Sequence, residues 1–387
     1  MFLGWRYKMT SENIKYFKGK NEENVDLDWL RKEMAQYLQI DNLNFLIGAG
    51  CSSHIVSDVE KGVPNMQSLY EGFFIDNPDV EIIDEKVNGM FDYNLEKMLE
   101  VMGAIQVANQ LKTIDSCIDE KIKCVQKYLR NRISMGINSS EVVNFYQEFY
   151  IKTARKGRKN PINVFTTNYD LFNEQALDNL GFPYNNGFVG TYKRKFNPVS
   201  YKYAFVENMN LSKDVWQRVP SFYNLYKIHG SISWVKRDDQ IWEIDYNSVK
   251  DDETVMIYPT PLKDRTTLMT PYSDLFRNME NALMRNNSVL IVMGYSFSDD
   301  HINRVILNAL AIPSFRLIVF GKGSSINKLI ELNDSRIIVI NSDNKIHYFN
   351  NIVQSVMPDL DEDVLEEHEI PSISEIIKRF EGERTNE

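Results

Sequence analysis

Asn44-Phe45-Leu46-Ile47-Gly48-Ala49-Gly50-Cys51-Ser52 joins a short apolar run directly to a glycine turn. A run this short, with glycines behind it, reads as a buried strand ending in a tight turn. The form recurs along the chain. Residues 162–166 lead into Thr167-Asn168-Tyr169-Asp170, and 289–293 into Gly294-Tyr295-Ser296. Further strand-like runs lie at 254–258, 316–320 and 336–340, and apolar residues at helical spacing fill 170–180, 271–286, 298–310 and 324–332. Unbroken apolar strands alternating with helices predict an α/β fold: a Rossmann-like, doubly wound, mainly parallel sheet covered on both faces.

The alternation breaks at 91–155. Leu95, Met98, Leu99, Met102 and Ile105 recur at helical spacing. So do Leu111, Ile114, Ile118, Ile122, Val125 and Leu129, and then Val142, Phe145, Tyr146 and Phe149. Three or more amphipathic helices are predicted there, as an inserted helical module. The expected organisation is an N-terminal helical segment at 1–40, a sheet domain at 41–345 carrying the 91–155 insertion, and a C-terminal helix with an acidic tail at 346–387.

Composition narrows the function classes. With 387 residues, 43% hydrophobic, including 21 Phe and 20 Tyr, the chain can bury a sizeable core and is not a disordered protein. No apolar run approaches the ~18 residues that cross a bilayer, and the N-terminus lacks an apolar segment with a small-residue cleavage site. A soluble cytoplasmic protein is expected. Of the net charge of −10, most sits in residues 358–387, which hold eleven Asp or Glu against three Lys or Arg. The body is close to neutral, so direct nucleic-acid binding is not expected. The stretch 359–369 reads as a solvated linker, or as a docking tail for a basic partner. Three cysteines make neither a disulfide framework nor a four-cysteine zinc site, and no metal is expected. Cys51 reads as a small buried residue filling its turn. Cys117 and Cys124, seven apart on a helical pattern, read as packing residues of one face.

Four elements carry candidate chemistry, and each also has a plain structural reading. The Gly48 turn lets backbone N–H groups approach a pyrophosphate, or is an ordinary tight turn. Asn168 and Asp170, two apart beyond a strand, are placed to grip a ribose hydroxyl and a carboxamide, while Asp170 alone is also a good helix cap. His229, beside Gly230, is a candidate base or a satisfied structural histidine. Gly294-Tyr295-Ser296-Phe297-Ser298-Asp299 leads into a helix capped by Ser298 or Asp299, whose N-terminus suits a ribose or phosphate.

All four fall at strand carboxyl ends and in one order. With that order the chain resembles a sirtuin-like NAD-consuming domain, of the divergent bacterial class found in antiphage defence, over roughly residues 40–345. Gly48-Ala49-Gly50-Cys51-Ser52 is similar to the family's G-A-G-x-S, and Gly62-Val63-Pro64-Asn65-Met66 more distantly to its G-I-P-D-F. Asn168 and Asp170 match T-Q-N-x-D, His229-Gly230 matches H-G, and Gly294-Tyr295-Ser296 matches G-x-S. The resemblance implies that NAD is the substrate, cleaved to nicotinamide and ADP-ribose or its cyclic form. It implies that Asn168 orients the water and the ribose, that His229 meets the ribose hydroxyls as base or orienter, and that Asp170 bonds the nicotinamide amide. Gly48, Ala49, Gly50 and Ser52 would line the pyrophosphate, Gly294 and Ser296 the adenosine side. Thr167, in place of the family's Gln, joins the NAD-contacting set. A basic, aromatic segment at 182–206, with Lys193, Arg194, Lys195 and Lys202 and no acidic residue, reads as a lid over the pyrophosphate, a single-strand nucleic-acid surface, or a loop of packed aromatics.

The departures from the family bear on the acceptor. The zinc ribbon of protein-deacylating members is missing, and Asn65, Met66 and Gln67 replace the Asp, Phe and Arg of their loop. Water is therefore the expected acceptor. An NAD-dependent protein deacylase and a non-catalytic nucleotide-binding subunit are the alternatives; retention of both Asn168 and His229 argues against the second. An unrestrained NAD hydrolase would deplete its own cell, and the short termini leave no room for a sensor domain. The resemblance thus implies a homo-oligomer regulated by a HerA-type hexameric ATPase. The 91–155 helices, the basic stretch 152–159 and the acidic tail are its expected docking surfaces.

Overall fold

The computed structural model describes residues 14–358, apart from 57–58, 81–90, 92, 112, 155–157, 159, 211–214, 220–221, 251–253 and 257–269. Its centre is a nine-stranded sheet: β1 (Ile14–Lys18), β2 (Asn21–Val25), β3 (Asn42–Ile47), β4 (Ile162–Thr166), β5 (Tyr184–Asn185), β6 (Tyr223–Lys227), β7 (Ser288–Met293), β8 (Arg316–Phe320) and β9 (Ile337–Asn341). The order across it is β2-β1-β9-β8-β7-β3-β4-β6-β5. Every pair from β9 to β5 is parallel, and β1 joins β9 and β2 antiparallel at one edge. The chain builds outward from β3 through β4 to β6, returns to β7 on the other side of β3, and builds outward again. That reversal opens a crevice at the carboxyl ends of β3 and β7, the place where such sheets receive ligands.

Among the described residues, helices of eight or more residues flank this sheet or stand beside it: α1 (Leu27–Tyr37), α2 (Met66–Asp76), α3 (Leu95–Ala108), α4 (Ile118–Gly136), α5 (Ser140–Thr153), α6 (Phe172–Leu180), α7 (Tyr272–Leu283), α8 (Asp300–Asn308) and α9 (Ser324–Glu331). Alternate strand residues feed opposite cores, as period-2 geometry requires. Phe45, Ile47 and Val164 pack with α1, α5 and α6; Leu46, Phe165 and Val292 pack with α7, α8 and α9. Both faces are covered, which is why the strands are apolar throughout rather than alternating.

Three buried asparagines interrupt these apolar strands in a single row. Asn44, Asn163 and Asn224 are direct register partners across β3, β4 and β6. Asn163 Nδ2 donates to Asn44 Oδ1 (2.9 Å), and Asn224 Nδ2 to Asn163 Oδ1 (3.1 Å). Asn44 Nδ2 donates in turn to Ser288 Oγ (2.9 Å) and the Val289 carbonyl (3.1 Å) at the start of β7. Any slip of one strand breaks the ladder and leaves buried amides unpaired. Three residues further on, Met293, Ile47, Thr166 and Lys227 stand side by side. Each candidate turn starts just past that row.

Several expectations change. Residues 14–25, assigned to an N-terminal helical segment, form the β1–β2 hairpin; only Ile14 and Tyr16 of β1 are buried and β2 is a polar edge, so no strand signal stands out. The run expected at 254–258 is a strand at Thr254–Met256, but it lies in a separate antiparallel sheet with Gly230–Arg237, Gln240–Glu243, Arg194–Phe196 and Phe188–Val189. The 91–155 block divides. Helix α3 and most of α4 join α2 around Phe73, Met98, Met102 and Val125, whereas α5 belongs to the sheet core through Tyr146, Phe149 and Tyr150. Cys117 is exposed, just ahead of α4, and only Cys124 packs, donating to Asn77 Oδ1. In the stretch 152–159, Lys152 is buried and bonds the Val353 carbonyl and Glu148, and Arg158 bonds the Ile40 and Leu38 carbonyls, so neither is a docking cation. At the C-terminus Phe349–Asn351 and Ile352–Val356 form short helical turns; the acidic tail beyond 358 lies outside the described residues. No helix among the described residues is long and apolar enough to cross a membrane.

Asn163→Leu keeps the side-chain size but strands Asn44 Oδ1 and Asn224 Nδ2. Chemical denaturation is expected to show a loss of at least about 2 kcal/mol with an unchanged m-value; wild-type stability would contradict the ladder's role.

Candidate active site

The crevice is closed at its base by glycines that let two turns interlock. Gly48 N donates to the Met293 carbonyl (2.9 Å) and Gly50 N to the Gly294 carbonyl (2.9 Å). A Cβ at Gly48 would lie 2.4 Å from Gly294 O, and one at Gly294, whose φ is +63°, would lie 2.6 Å from Cys51 N. Both turns therefore need glycine for each other, whatever they bind. The same contacts revise the pyrophosphate expectation. The N–H groups of Gly48, Gly50, Cys51 and Ser52 all donate to protein carbonyls, whereas that of exposed Ala49 makes no such bond among the described residues. Cys51 fills the turn as expected, and burial pushes its thiol well up.

Asn168 is pinned in this floor. Its backbone N–H donates to Thr166 Oγ1 (3.0 Å), and its Nδ2 donates to the Gly48 carbonyl (2.9 Å) and to Ser52 Oγ (2.8 Å). A carbonyl only accepts, so the amide orientation is fixed and both its hydrogens are used. That leaves Oδ1, buried, with no hydrogen-bond partner. Ser52 Oγ donates a hydrogen bond to Asp170 Oδ2 (2.5 Å), while Asp170 Oδ1 accepts from Phe172 N (3.2 Å) at the start of α6. Asp170 thus accepts from the first residue of the helix, as its cap reading expects, and also ends the Asn168–Ser52 chain. Burial pushes its carboxyl up, opposed by the Lys227 ammonium and the Ser52 hydroxyl.

Lys227 was not singled out in the sequence. It ends β6, is fully buried, and donates to the Asp170 carbonyl, to that of Tyr169 (3.5 Å) and to Glu174 Oε1 (2.9 Å). It holds the Asn168 loop from below. Thr167 is half-buried, and its N–H donates to the Ile47 carbonyl (3.3 Å).

His229 and Gly230 follow Lys227. Gly230 (φ +91°) has no room for a side chain, since a Cβ would lie 2.2 Å from Val255 O, which explains why a glycine follows the histidine. His229 is 9% exposed and its ring lies 6.4 Å from that of Tyr169. Its Nε2 lies 3.1 Å from Asp299 Oδ2. The cap of α8 is Asp299 rather than Ser298, through His301 N (3.0 Å) and Ile302 N (3.4 Å). Ser296 is exposed and bonds Ser298 (3.0 Å), at the rim and apart from the Asn168 network.

Within the basic segment 182–206 aromatics pack into the core and one of the cations is paired. Phe188, Phe196 and Tyr201 are buried in the α7–α9 core, and Arg194 pairs with Glu243 and donates to Asn186 Oδ1 (2.8 Å). Lys193, Lys195 and Lys202 remain exposed. Among the described residues no group of three or more His, Cys, Asp or Glu is placed to hold a metal ion.

Part of the chain is similar to a known family. Residues 162–340 match the model of the SIR2-like domain family. That span runs from β4 into β9. It takes in Asn168, Asp170, His229, Gly294 and Ser296 and leaves out the Gly48 turn, which the structure ties to the SIR2-like region through Gly294 and Asn168. The chain is also similar to the Type II restriction enzyme MboI of Moraxella bovis, at 23% identity over 282 residues, covering 60% of this chain and 94% of that protein.

The raised carboxyl of Asp170 has a pH signature. The folded state holds that proton more tightly than the unfolded chain, so the group's contribution to stability is complete below about pH 4 and is lost as pH rises through the folded value. Asp170→Asn removes this linkage. Denaturation from pH 4 to 7 is expected to show a less negative slope of stability with pH in the variant, by up to about 1.4 kcal/mol per pH unit; parallel curves would contradict the assignment.

Proposed function

We propose that this chain is an NAD glycohydrolase. It cleaves the nicotinamide–ribose bond with water, so that NAD and water give nicotinamide, ADP-ribose and a proton. One observation carries the reading: Asn168 Oδ1 is a buried acceptor with no partner, on a side chain whose other end is fixed, at the crevice of a parallel sheet. Such an atom is costly unless a donor arrives, and a ribose hydroxyl or a water is a donor of the right size. Asn168 then orients the water and the ribose, and His229, from the neighbouring strand end, takes or directs the hydroxyl proton. The Ser52–Asp170 pair keeps the Asn168 amide from turning, with Asp170 also the group offered to the nicotinamide carboxamide. Ala49 N–H and the open surface over Gly50 receive the pyrophosphate, and Gly294 and Ser296 border the adenosine side.

The SIR2-like match favours NAD among the possible nucleotides. Water is favoured over an acyl-lysine acceptor because Asn65, in the position of the deacylase loop, is spent on capping α2 (Ser68 N, 3.0 Å) and bonding Glu60 (3.0 Å). We take α2, α3 and α4, with a core of their own, as the inserted module. Its exposed Leu111, Ile114 and Met135 favour this module as the contact in a homo-oligomer or with a HerA-type ATPase. A defence role through NAD depletion would need that restraint. A second reading, action on DNA, rests on the Moraxella relative, which is aligned over nearly its whole length.

Purified protein incubated with NAD alone is expected to release nicotinamide and ADP-ribose. Asn168→Ala, matched in thermal melt, is expected to lose at least about 100-fold of that rate. Release that needs an acylated peptide would move the reading to a deacylase, and DNA cleavage without NAD cleavage would favour the second reading.

A further inference from the structure

His229 and Asp299 come from opposite ends of the functional row. His229 follows β6 and Asp299 follows β7, with β3 and β4 between them. Three strand spacings separate the two ends, about 14 Å, yet Nε2 and Oδ2 are 3.1 Å apart. The turns that follow β6 and β7 together span that gap to make this contact. Their side chains are 11% and 7% exposed, so little water screens them.

Asp299 is itself held rigidly. Its Oδ1 accepts from His301 N and Ile302 N, which leaves Oδ2 as the atom facing the imidazole. The His229 Nε2–Asp299 contact is off the line of a hydrogen bond, and Nε2 has no other partner. The distance decides here, because the ring torsion of histidine is broad and alignment costs little.

We propose that Asp299 is a positioning residue: it holds His229 in the Nε2–H tautomer, so that Nδ1 is the nitrogen left to accept a proton from a hydroxyl or a water. A neutral imidazole has one donor and one acceptor, and a carboxylate oxygen only accepts, so the nitrogen facing Asp299 must carry the hydrogen. The role at substrate rests on the NAD reading above; the tautomer does not.

Asp299→Asn separates the two. The asparagine oxygen is kept by the helix N–H groups, since Asn caps as well as Asp. Its NH2 group then replaces Oδ2 and presents a donor to Nε2, which must become the acceptor. Imidazole 15N shifts in histidine-labelled protein read this directly, with His229→Gln identifying the His229 signals among the five histidines. Wild type is expected to be Nε2–H and Asp299→Asn to invert to Nδ1–H. Asp299→Ser, a shorter cap, is expected to show a mixture. Cleavage of NAD by Asp299→Asn is expected to fall at least about 100-fold in kcat, with KM changed only a few fold. An unchanged Nε2–H tautomer in folded Asp299→Asn and Asp299→Ser overturns the proposal whatever the activity. Inversion in a protein whose wild type leaves NAD intact keeps Asp299's role and rejects the NAD reading instead.

Discussion

The Asn44–Asn163–Asn224 ladder sets the strand register on which the whole site depends. Parallel strands have no tight turn to align them, and an all-apolar strand keeps its faces when it slips by two residues. Such a slip would carry a turn about 6.6 Å along the sheet at little hydrophobic cost. The ladder makes it expensive, because each amide bonds its neighbour on the next strand and the last reaches Ser288 at the start of β7. With that register fixed, Ile47, Thr166, Lys227 and Met293 form one level edge, and the residues just beyond them converge.

Convergence alone would leave four loose loops. Two further constraints tighten them. Gly48, Gly50 and Gly294 let two turns touch backbone to backbone, so the floor of the crevice is made of main chain and cannot shift without a clash. Lys227 draws the Tyr169 and Asp170 carbonyls toward itself while pairing with Glu174. A buried ion pair is weak support for stability, since two charges must be stripped of water. Its value here is placement: it holds the loop whose Asn168 and Asp170 close on Ser52. Glu243 and Arg194, a half-buried pair, lie against the same region from the antiparallel sheet.

Strands β3, β4, β7, β8 and β9 and the four turns were readable because each of these strands is a largely apolar run; β6, Tyr-Asn-Leu-Tyr-Lys, carries Asn224 and Lys227 and gives no such run. What was not readable has physical reasons. Strand β1 buries only alternate residues and β2 none, so the edge hairpin carries no continuous apolar signal. Thr254–Met256 reads as a strand, but three residues do not say which sheet they enter. Helix α5 has the same periodicity as α3 and α4, and only its partners reveal that it covers the sheet. Lys227 looked like an ordinary basic residue at a strand end, because burial of a lysine is set by what folds over it. Asp299 was legible as a cap, and its second oxygen acquired a partner only when β6 and β7 were placed in one sheet. In the cationic stretches 152–159 and 182–206 composition does not show which charges are spent: Lys152, Arg158 and Arg194 are consumed by carbonyls and carboxylates, most of them distant in sequence.

The most direct measurement is a crystal structure of the protein with ADP-ribose, refined with and without Asn168. The account predicts a ribose hydroxyl within hydrogen-bond distance of Asn168 Oδ1, the pyrophosphate over Ala49 and Gly50, and loss of that pose in Asn168→Ala. ADP-ribose bound away from the Gly48–Asn168–Gly294 edge, or bound identically without Asn168, would contradict it.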